Sequence, residues 1–369
     1  MAHLAPAQSV PEKFVVSGKA AQKIQDHTTI NLATAQRIAE TCEGLATARG
    51  AQQSIIILDN DGNHVYMDRM DGQGYTNIVT PEMKARTALI TRGPSKAVMN
   101  RVERDPNQEA YEVQLGHYPV AGGLPIVVNQ QMIGVIGVGG FRPSPPVWSD
   151  EICARTAMIE VLGTSVPPLL EDVKPETEAA SKNPVAVPTF GTTVPPKATL
   201  PAEWVVGGAA AAHVFDGNQL SLVTVKKIAR ACRDWAAAKD ASASIYILDM
   251  AGEFLHMERM DGQLSEDIRT ALLKAQTALR LREPTSLRGN DLRNVPHDLP
   301  RNTSANIFNF YLSSGGIPIV VDGQMVGSIG VSGLSDGNND ENCAIEGLKA
   351  AFGQHATLPI YKNGGAQTH

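Results

Sequence analysis

Apolar and polar positions along this chain draw the same succession of elements twice. Leu32, Ala35, Ile38, Ala39, Cys42 and Leu45 recur at three- and four-residue steps, the stripe of an amphipathic helix. Leu222, Val225, Ile228, Ala229, Cys232 and Trp235 draw that stripe again, and Asn31 and Ser221 stand where a cap would accept from the orphan N–H groups. Short β-branched runs follow at 55–58 and 245–248, ending in the acidic, glycine-containing turns 59–62 and 249–252 that predict hairpins. A second helix is predicted over 81–91, with Thr80 as cap and Pro81 at its first position, and over 266–281 behind Ser265 in the second half. A second hairpin is predicted from 125–128 and 132–138 around Asn129-Gln130, matched by a turn at Asp322-Gly323. Final helices start behind Ser149 and Asn339 with acidic first turns.

The two halves superpose at an offset of 190 residues, shifting to 193 across the second hairpin and returning to 190 in the last helix. Repeats of this length are whole domains. The expected organisation is one domain over 13–166, a proline-rich tether over 167–202 and a second domain over 203–356, packed as a covalent pseudo-dimer. Strands joined by hairpins predict a mostly antiparallel sheet with helices packed on it, an α/β fold of the α+β kind.

Composition narrows the partners. The formal net charge is −6 with no basic block, which disfavours a nucleic-acid backbone. No run approaches the length of a membrane span, and the start lacks a basic then apolar leader, so a cytoplasmic location is expected. Four cysteines fall at matched positions, Cys42 with Cys232 and Cys153 with Cys343, without CxxC spacing; on the helical stripe they read as small buried hydrophobes.

Candidate chemistry concentrates in Arg-Met-Asp-Gly at 69–72 and again at 259–262. Strand alternation puts Val65, Met67 and Arg69 on one face, so the arginine ends an apolar row with Asp71 two residues on, and Arg259 with Asp261 repeats the arrangement. Such a guanidinium suits a carboxylate ligand, or it pairs with its own aspartate and fixes the strand end. Lys84 and Lys274 sit in the second helices, either near an anion or facing solvent. Gly122-Gly123 and Gly315-Gly316 precede the second hairpins, where missing side chains admit a ligand, a helix or a neighbouring subunit. Tyr118 is matched by Tyr311, whereas His117 is matched by Phe310, so only the first copy offers an imidazole there. The candidate catalytic set is therefore Arg69, Asp71, His117, Tyr118, Arg259 and Asp261. Lys84, Gly122, Gly123, Lys274, Tyr311, Gly315 and Gly316 form the candidate ligand-binding set. No HExxH, GxGxxG or phosphate-loop pattern occurs, and neither a nucleophile elbow nor a metal set is assigned.

Together, DxxGxxxxxxRMDG, the KAxTAL helix, GGxPIVVxGQxxGxIGVSG and the final Asp-Glu-x-Cys-Ala helix resemble the GlcG/HbpS-like family, which includes the C-terminal domain of PduO-type proteins. The resemblance implies a profilin-like or Roadblock-like domain, an antiparallel sheet flanked by helices, assembled as dimers or higher oligomers. It also brings in haem as a candidate ligand, on resemblance alone. The first copy departs from the family pattern at Asn129-Gln130 and in the extension FRPSPPVWSD. Three functions stay open: binding of a small anionic or tetrapyrrole ligand at a domain or subunit interface; a cofactor-independent lyase, isomerase or hydrolase on a small organic acid; and a structural interaction protein.

Overall fold

The computed structural model describes residues 10–24, 28–140, 148–163, 166–171, 197–214, 216–294, 305, 307–334, 337–362 and 365–367. Most of the expected tether and of the FRPSPPVWSD extension lies outside these residues. In the first copy, α1 (Leu32–Thr47) is followed by the hairpin β1 (Ser54–Leu58) and β2 (His64–Arg69), then α2 (Thr76–Thr91), α3 (Ser95–Arg104) and α4 (Glu109–Gln114). The hairpin β3 (Gly123–Val128) and β4 (Gln131–Gly139) and the helix α5 (Asp150–Leu162) complete it. The second copy repeats the order: α6 (Leu222–Ala237), β5 (Ser244–Leu248), β6 (Phe254–Arg259), α7 (Ser265–Leu281), α8 (Thr285–Asn294), β7 (Gly316–Val321), β8 (Gln324–Ser332) and α9 (Gly337–Phe352).

The duplicated α+β architecture expected from the pattern is present, and all eight of these strands join one antiparallel sheet. Its order is β3-β4-β1-β2-β6-β5-β8-β7, so β2 and β6 meet at a central seam. There Met67 lies opposite Met257, its own counterpart in the repeat, which places a local two-fold axis at that pair. Sheet alternation divides the core. Ile55 and Ile57 pack under α1 and α5, Ile245 and Ile247 under α6 and α9, while Ile56, Leu58, Met67, Tyr246, Leu248 and Met257 form one continuous cluster beneath α2 and α7. That shared cluster and the unbroken sheet make the two copies a single packed body across the seam.

Local signals account for most boundaries. The Asn31 side chain accepts from Thr34 N at 2.8 Å, Ser221 from Thr224 N at 3.3 Å and Ser149 from Ile152 N at 3.2 Å, each capping the helix it precedes. Asn129 and Gln130 both adopt positive φ (50° and 66°), as Asp322 and Gly323 do (49° and 77°), so both second hairpins use the same left-handed turn despite the missing glycine.

Three expectations change. Pro81 lies inside α2, which begins at Thr76; its buried ring and carbonyl press on Gly139 and Gly137 of β4, and this packing outweighs the helix bond a proline forfeits. Bulges between Ile57 and Leu58, and between Ile247 and Leu248, turn Val65 and Leu255 away from the face of Met67 and Met257. The cysteines are buried as expected but not as free thiols: Cys42 is bonded to Cys153 and Cys232 to Cys343, tying α1 to α5 and α6 to α9.

Candidate functional site

The paired Arg-Met-Asp-Gly motifs meet across the seam. The Oδ1 of Asp59 accepts from the N–H groups of Asp61 and Asn63 at 2.9 Å and folds the first hairpin turn. Its Oδ2 accepts from Arg259 of the other copy at 2.6 Å. Asp249 folds its own turn through Ala251 and Glu253 and accepts from Arg69 at 2.9 Å. Neither arginine pairs with the aspartate of its own motif. Asp71 instead accepts from Leu222 N at 2.8 Å and Asp261 from Leu32 N at 2.8 Å, each capping the first helix of the opposite copy. Burial raises both carboxyls, the helix N–H and the nearby arginine pulling the other way. Thus the sharpest motif of the sequence is a reciprocal clasp between copies.

Lys84 and Lys274 are buried, not solvent-facing. Lys84 Nζ donates to Val138 O at 3.0 Å and to Asp150 at 2.7 Å; Lys274 donates to Val331 O at 3.0 Å and to Asp340 at 2.7 Å. Burial pushes the Asp340 carboxyl up to about 6, with Lys274 opposing it. The glycine pairs serve this contact. A side chain at Gly122 would meet Val138 O at 2.7 Å and Lys84 Nζ at 3.1 Å, and one at Gly123 would run into the Lys84 carbonyl. Gly315 and Gly316 are crowded in the same way by Val331, Lys274 and Thr285. What approaches these glycines is a helix of the same copy.

His117 and Tyr118 lie at the sheet edge, ahead of β3. His117 Nδ1 is 2.7 Å from Glu112, which also accepts from Arg101 at 2.8 Å, and these two partners hold the Glu112 carboxyl low. Tyr118 N and Tyr311 N donate to Thr87 and Thr277 at 2.7 and 2.9 Å. Two strands, β4 and β1, separate β3 from β2, about 14 Å at ~4.8 Å per strand step. The structure therefore does not bring His117 or Tyr118 to Arg69 and Asp71.

It does assemble a cluster that sequence reasoning missed. On the α1/α6 face of the seam, His256 Nδ1 lies 2.6 Å from Asp68, and Lys226 bridges Asp68 at 2.7 Å and Glu43 at 2.9 Å. Arg233 reaches Glu258 at 3.1 Å and Gln36 at 3.1 Å, and the Tyr66 ring packs edge-on against His256. Burial alone would lower the His256 pKa; Asp68 and then Glu258 more than offset it and raise it to about 9. Burial, and after it Asp68, push the Glu43 carboxyl up to about 10 against Lys226. Asp68 stays low in spite of burial because Glu43, His256 and Lys226 all favour its charged form. On the opposite face, His64 Nδ1 lies 3.0 Å from the Tyr246 hydroxyl, and its Nε2 lies 3.5 Å from Glu82. His64 and His256 read in the sequence as histidines unmatched between copies, answering to Phe254 and Tyr66, and nothing local links them to partners; Lys226 answers to Gln36 and Arg233 to Glu43, so no shared pattern marks them.

Two grooves flank the seam where α1 and α6 diverge. The first, about 710 Å³, is lined by Leu32, Ala33 and Gln36 of α1, Arg233 and Ala237 of α6, and Met260, with Lys19, Lys23, Asp240 and Asp261 around it. The second, about 720 Å³, is its counterpart under the repeat, lined by Leu222, Val223, Glu40, Glu43, Met70 and Asp71. Walls of similar size thus carry different charge. The first groove gathers three basic side chains, two of them paired (Lys19 to Asp240 at 2.9 Å, Arg233 to Glu258 at 3.1 Å); among the described residues lining the second, the charged ones are Glu40, Glu43 and Asp71, with Lys226 holding Glu43 at 2.9 Å.

Comparison with known proteins follows the repeat. A curated protein from Citrobacter freundii, described as an uncharacterized 15.0 kDa protein in the dhaT-dhaS intergenic region, is 31% identical over 140 residues, 37% of this chain and 94% of its own length. Among solved structures, HbpS is 30% identical over 36% of this chain and 91% of its own, with a TM-score of 0.33. A double mutant of Streptomyces reticuli HbpS is 28% identical over 41% and 96%, with a TM-score of 0.33. A PduOC–heme complex is 22% identical over 36% and 94%, with a TM-score of 0.32. The family described as haem degrading protein HbpS-like matches residues 30–158 and 220–349, so most of the chain lies within two successive matches. This chain belongs to the HbpS-like family and carries its domain twice.

Proposed function

We propose that this protein binds a small ligand with an apolar body and one or more carboxylates in the first groove between its two copies. The unequal charge of two otherwise equivalent grooves carries the reading: Lys23 and Arg233 face an apolar floor of Leu32, Ala33 and Ala237 in one, and Glu40 and Glu43 stand there in the other. Arg69 and Arg259, expected to grip the carboxylate, are committed to Asp249 and Asp59. Arg233 is held by Glu258 at 3.1 Å in the same way, so the anion anchor is assigned to Lys23.

The family name directs attention to haem, and the groove fits it in part. A propionate would meet Lys23. No histidine, cysteine or tyrosine stands among the described lining residues, and the Met260 sulfur already accepts from Ala243 N at 3.2 Å, so none of the customary haem-iron ligands is free there. No step through iron is assigned. Membership of the HbpS-like family supports the tetrapyrrole class as the first to test.

Titration with hemin, and in parallel with an iron-free porphyrin carrying the same propionates, tests the site. Ala33→Trp fills the first groove from an exposed position and should abolish saturable uptake of both. Val223→Trp, its counterpart in the second groove, should leave uptake intact, as should His117→Ala and Tyr118→Ala. Equal uptake by Ala33→Trp and the native chain would remove the groove from the reading.

A further inference from the structure

The seam contains two kinds of contact, and they differ in which pairings they permit. The clasps are symmetric: Arg69–Asp249 and Arg259–Asp59 are the same contact related by the repeat, as are Asp71–Leu222 and Asp261–Leu32. Each copy carries both halves of them. They would form equally well between two first copies, two second copies, or one of each.

The buried cluster is not symmetric. The first copy supplies Glu43 and Asp68 with Gln36 and Tyr66; the second supplies Lys226, Arg233 and His256 with Glu258. Together, three acidic side chains meet three basic ones, all of them buried or nearly so. Two first copies would instead bring four carboxyls together with no basic side chain, leaving Glu43 and Asp68 without Lys226 or His256. Two second copies would set two lysines, two arginines and two histidines against two glutamates. Buried charge without a partner opposes association strongly, so only the mixed pair is balanced. The other face agrees. The Tyr246 hydroxyl meets His64, but in a pair of second copies it would face Phe254, and in a pair of first copies His64 would face Ile56.

We propose that the β2–β6 seam is a heterotypic interface, whose first-copy face takes the second-copy face as its partner and rejects a second face of its own kind. Each chain thereby closes on itself. Exchange of domains between chains is limited to the same mixed pairing, and further assembly uses other surfaces.

The test uses the full chain with a protease site placed within residues 172–196. Both disulfides lie within copies, so cleavage leaves the halves joined only through the seam. Native mass spectrometry of the cleaved protein, after denaturation and refolding with disulfides intact, should show the mixed pair alone. A statistical mixture of all three pairings would overturn the proposal. The uncleaved chain gives a reading independent of refolding of the halves. Gln36→Lys, Glu43→Arg, Tyr66→His and Asp68→Glu together give both sides the second-copy face. Lys226→Gln, Arg233→Glu, His256→Tyr and Glu258→Asp together give both sides the first-copy face. Each fourfold variant should lose the native melting transition, and all eight changes combined should regain it. Fourfold variants that melt like the native chain, or an eightfold variant no better than either, would refute the interface code.

Discussion

Removing one arginine of the clasp separates the structural account of Arg-Met-Asp-Gly from the ligand-anchoring one. Arg259→Ala leaves the Asp59 carboxylate, 5% exposed, without its guanidinium, while its other oxygen keeps the two turn N–H bonds. Breaking a buried pair on one side costs about 3–5 kcal/mol; the two retained backbone bonds and the slight exposure of Arg259 favour the lower end, about 3 kcal/mol. At ~2.1 cal/mol/K of unfolding entropy per residue, 1 kcal/mol shifts a single body of this size by roughly 1.4 °C, so the melting temperature should fall by about 4 °C. Arg69→Ala should fall by a similar or slightly smaller amount, since Asp249 is 12% exposed. Arg259→Met with Asp59→Asn removes both charges, keeps an oxygen for the turn, and should recover much of the loss. Differential scanning calorimetry and the porphyrin titration, run on the same variants, make the comparison. If Arg259→Ala melts within the ~1.4 °C that 1 kcal/mol represents and yet takes up no ligand, the clasp reasoning is wrong and the arginine is an anchor.

The remaining predictions concern the core and the seam. Thiol titration of the unfolded, unreduced protein should find none of the four cysteines free, and replacing either disulfide by alanines should cost up to about 4–5 kcal/mol, the chain-entropy value for a loop of ~100 residues; reactive thiols in the native preparation would contradict the pairing. His256 sits above its unfolded value of 6.5, at about 9, so its contribution is fully present below pH 6.5 and is lost as pH rises through 9. Glu43, raised to about 10 from 4.5, acts in the same direction, because the folded state holds the extra proton over that range. The urea midpoint should therefore drop steadily between pH 6.5 and 9, and a flat or rising profile would show that the cluster is not protonated as described.

The sequence by itself determined the duplication, the fold class and the order of the principal helices and hairpins, because these rest on local periodicity and on turn chemistry that each segment carries within itself; α3, α4 and α8 lie in a stretch that reads as a variable loop. The caps at Asn31, Ser149 and Ser221 and the turns at Asp59 and Asp249 were legible for the same reason. Only the tertiary structure decided what the motifs touch. Arg69 finds its carboxylate 180 residues away in the other copy, and no spacing rule within one copy reveals it. Gly122 and Gly123 leave open a ligand, a helix or a neighbouring subunit until Lys84 and its helix are seen against them. Pairing of Cys42 with Cys153 likewise depends on α1 and α5 lying side by side. The repeat also misled in one respect: matching residues between copies drew attention to the symmetric clasp and away from Asp68, Lys226, Arg233 and His256. Those residues gain their meaning from facing each other across a two-fold axis, where a difference between the copies becomes a balance of charge.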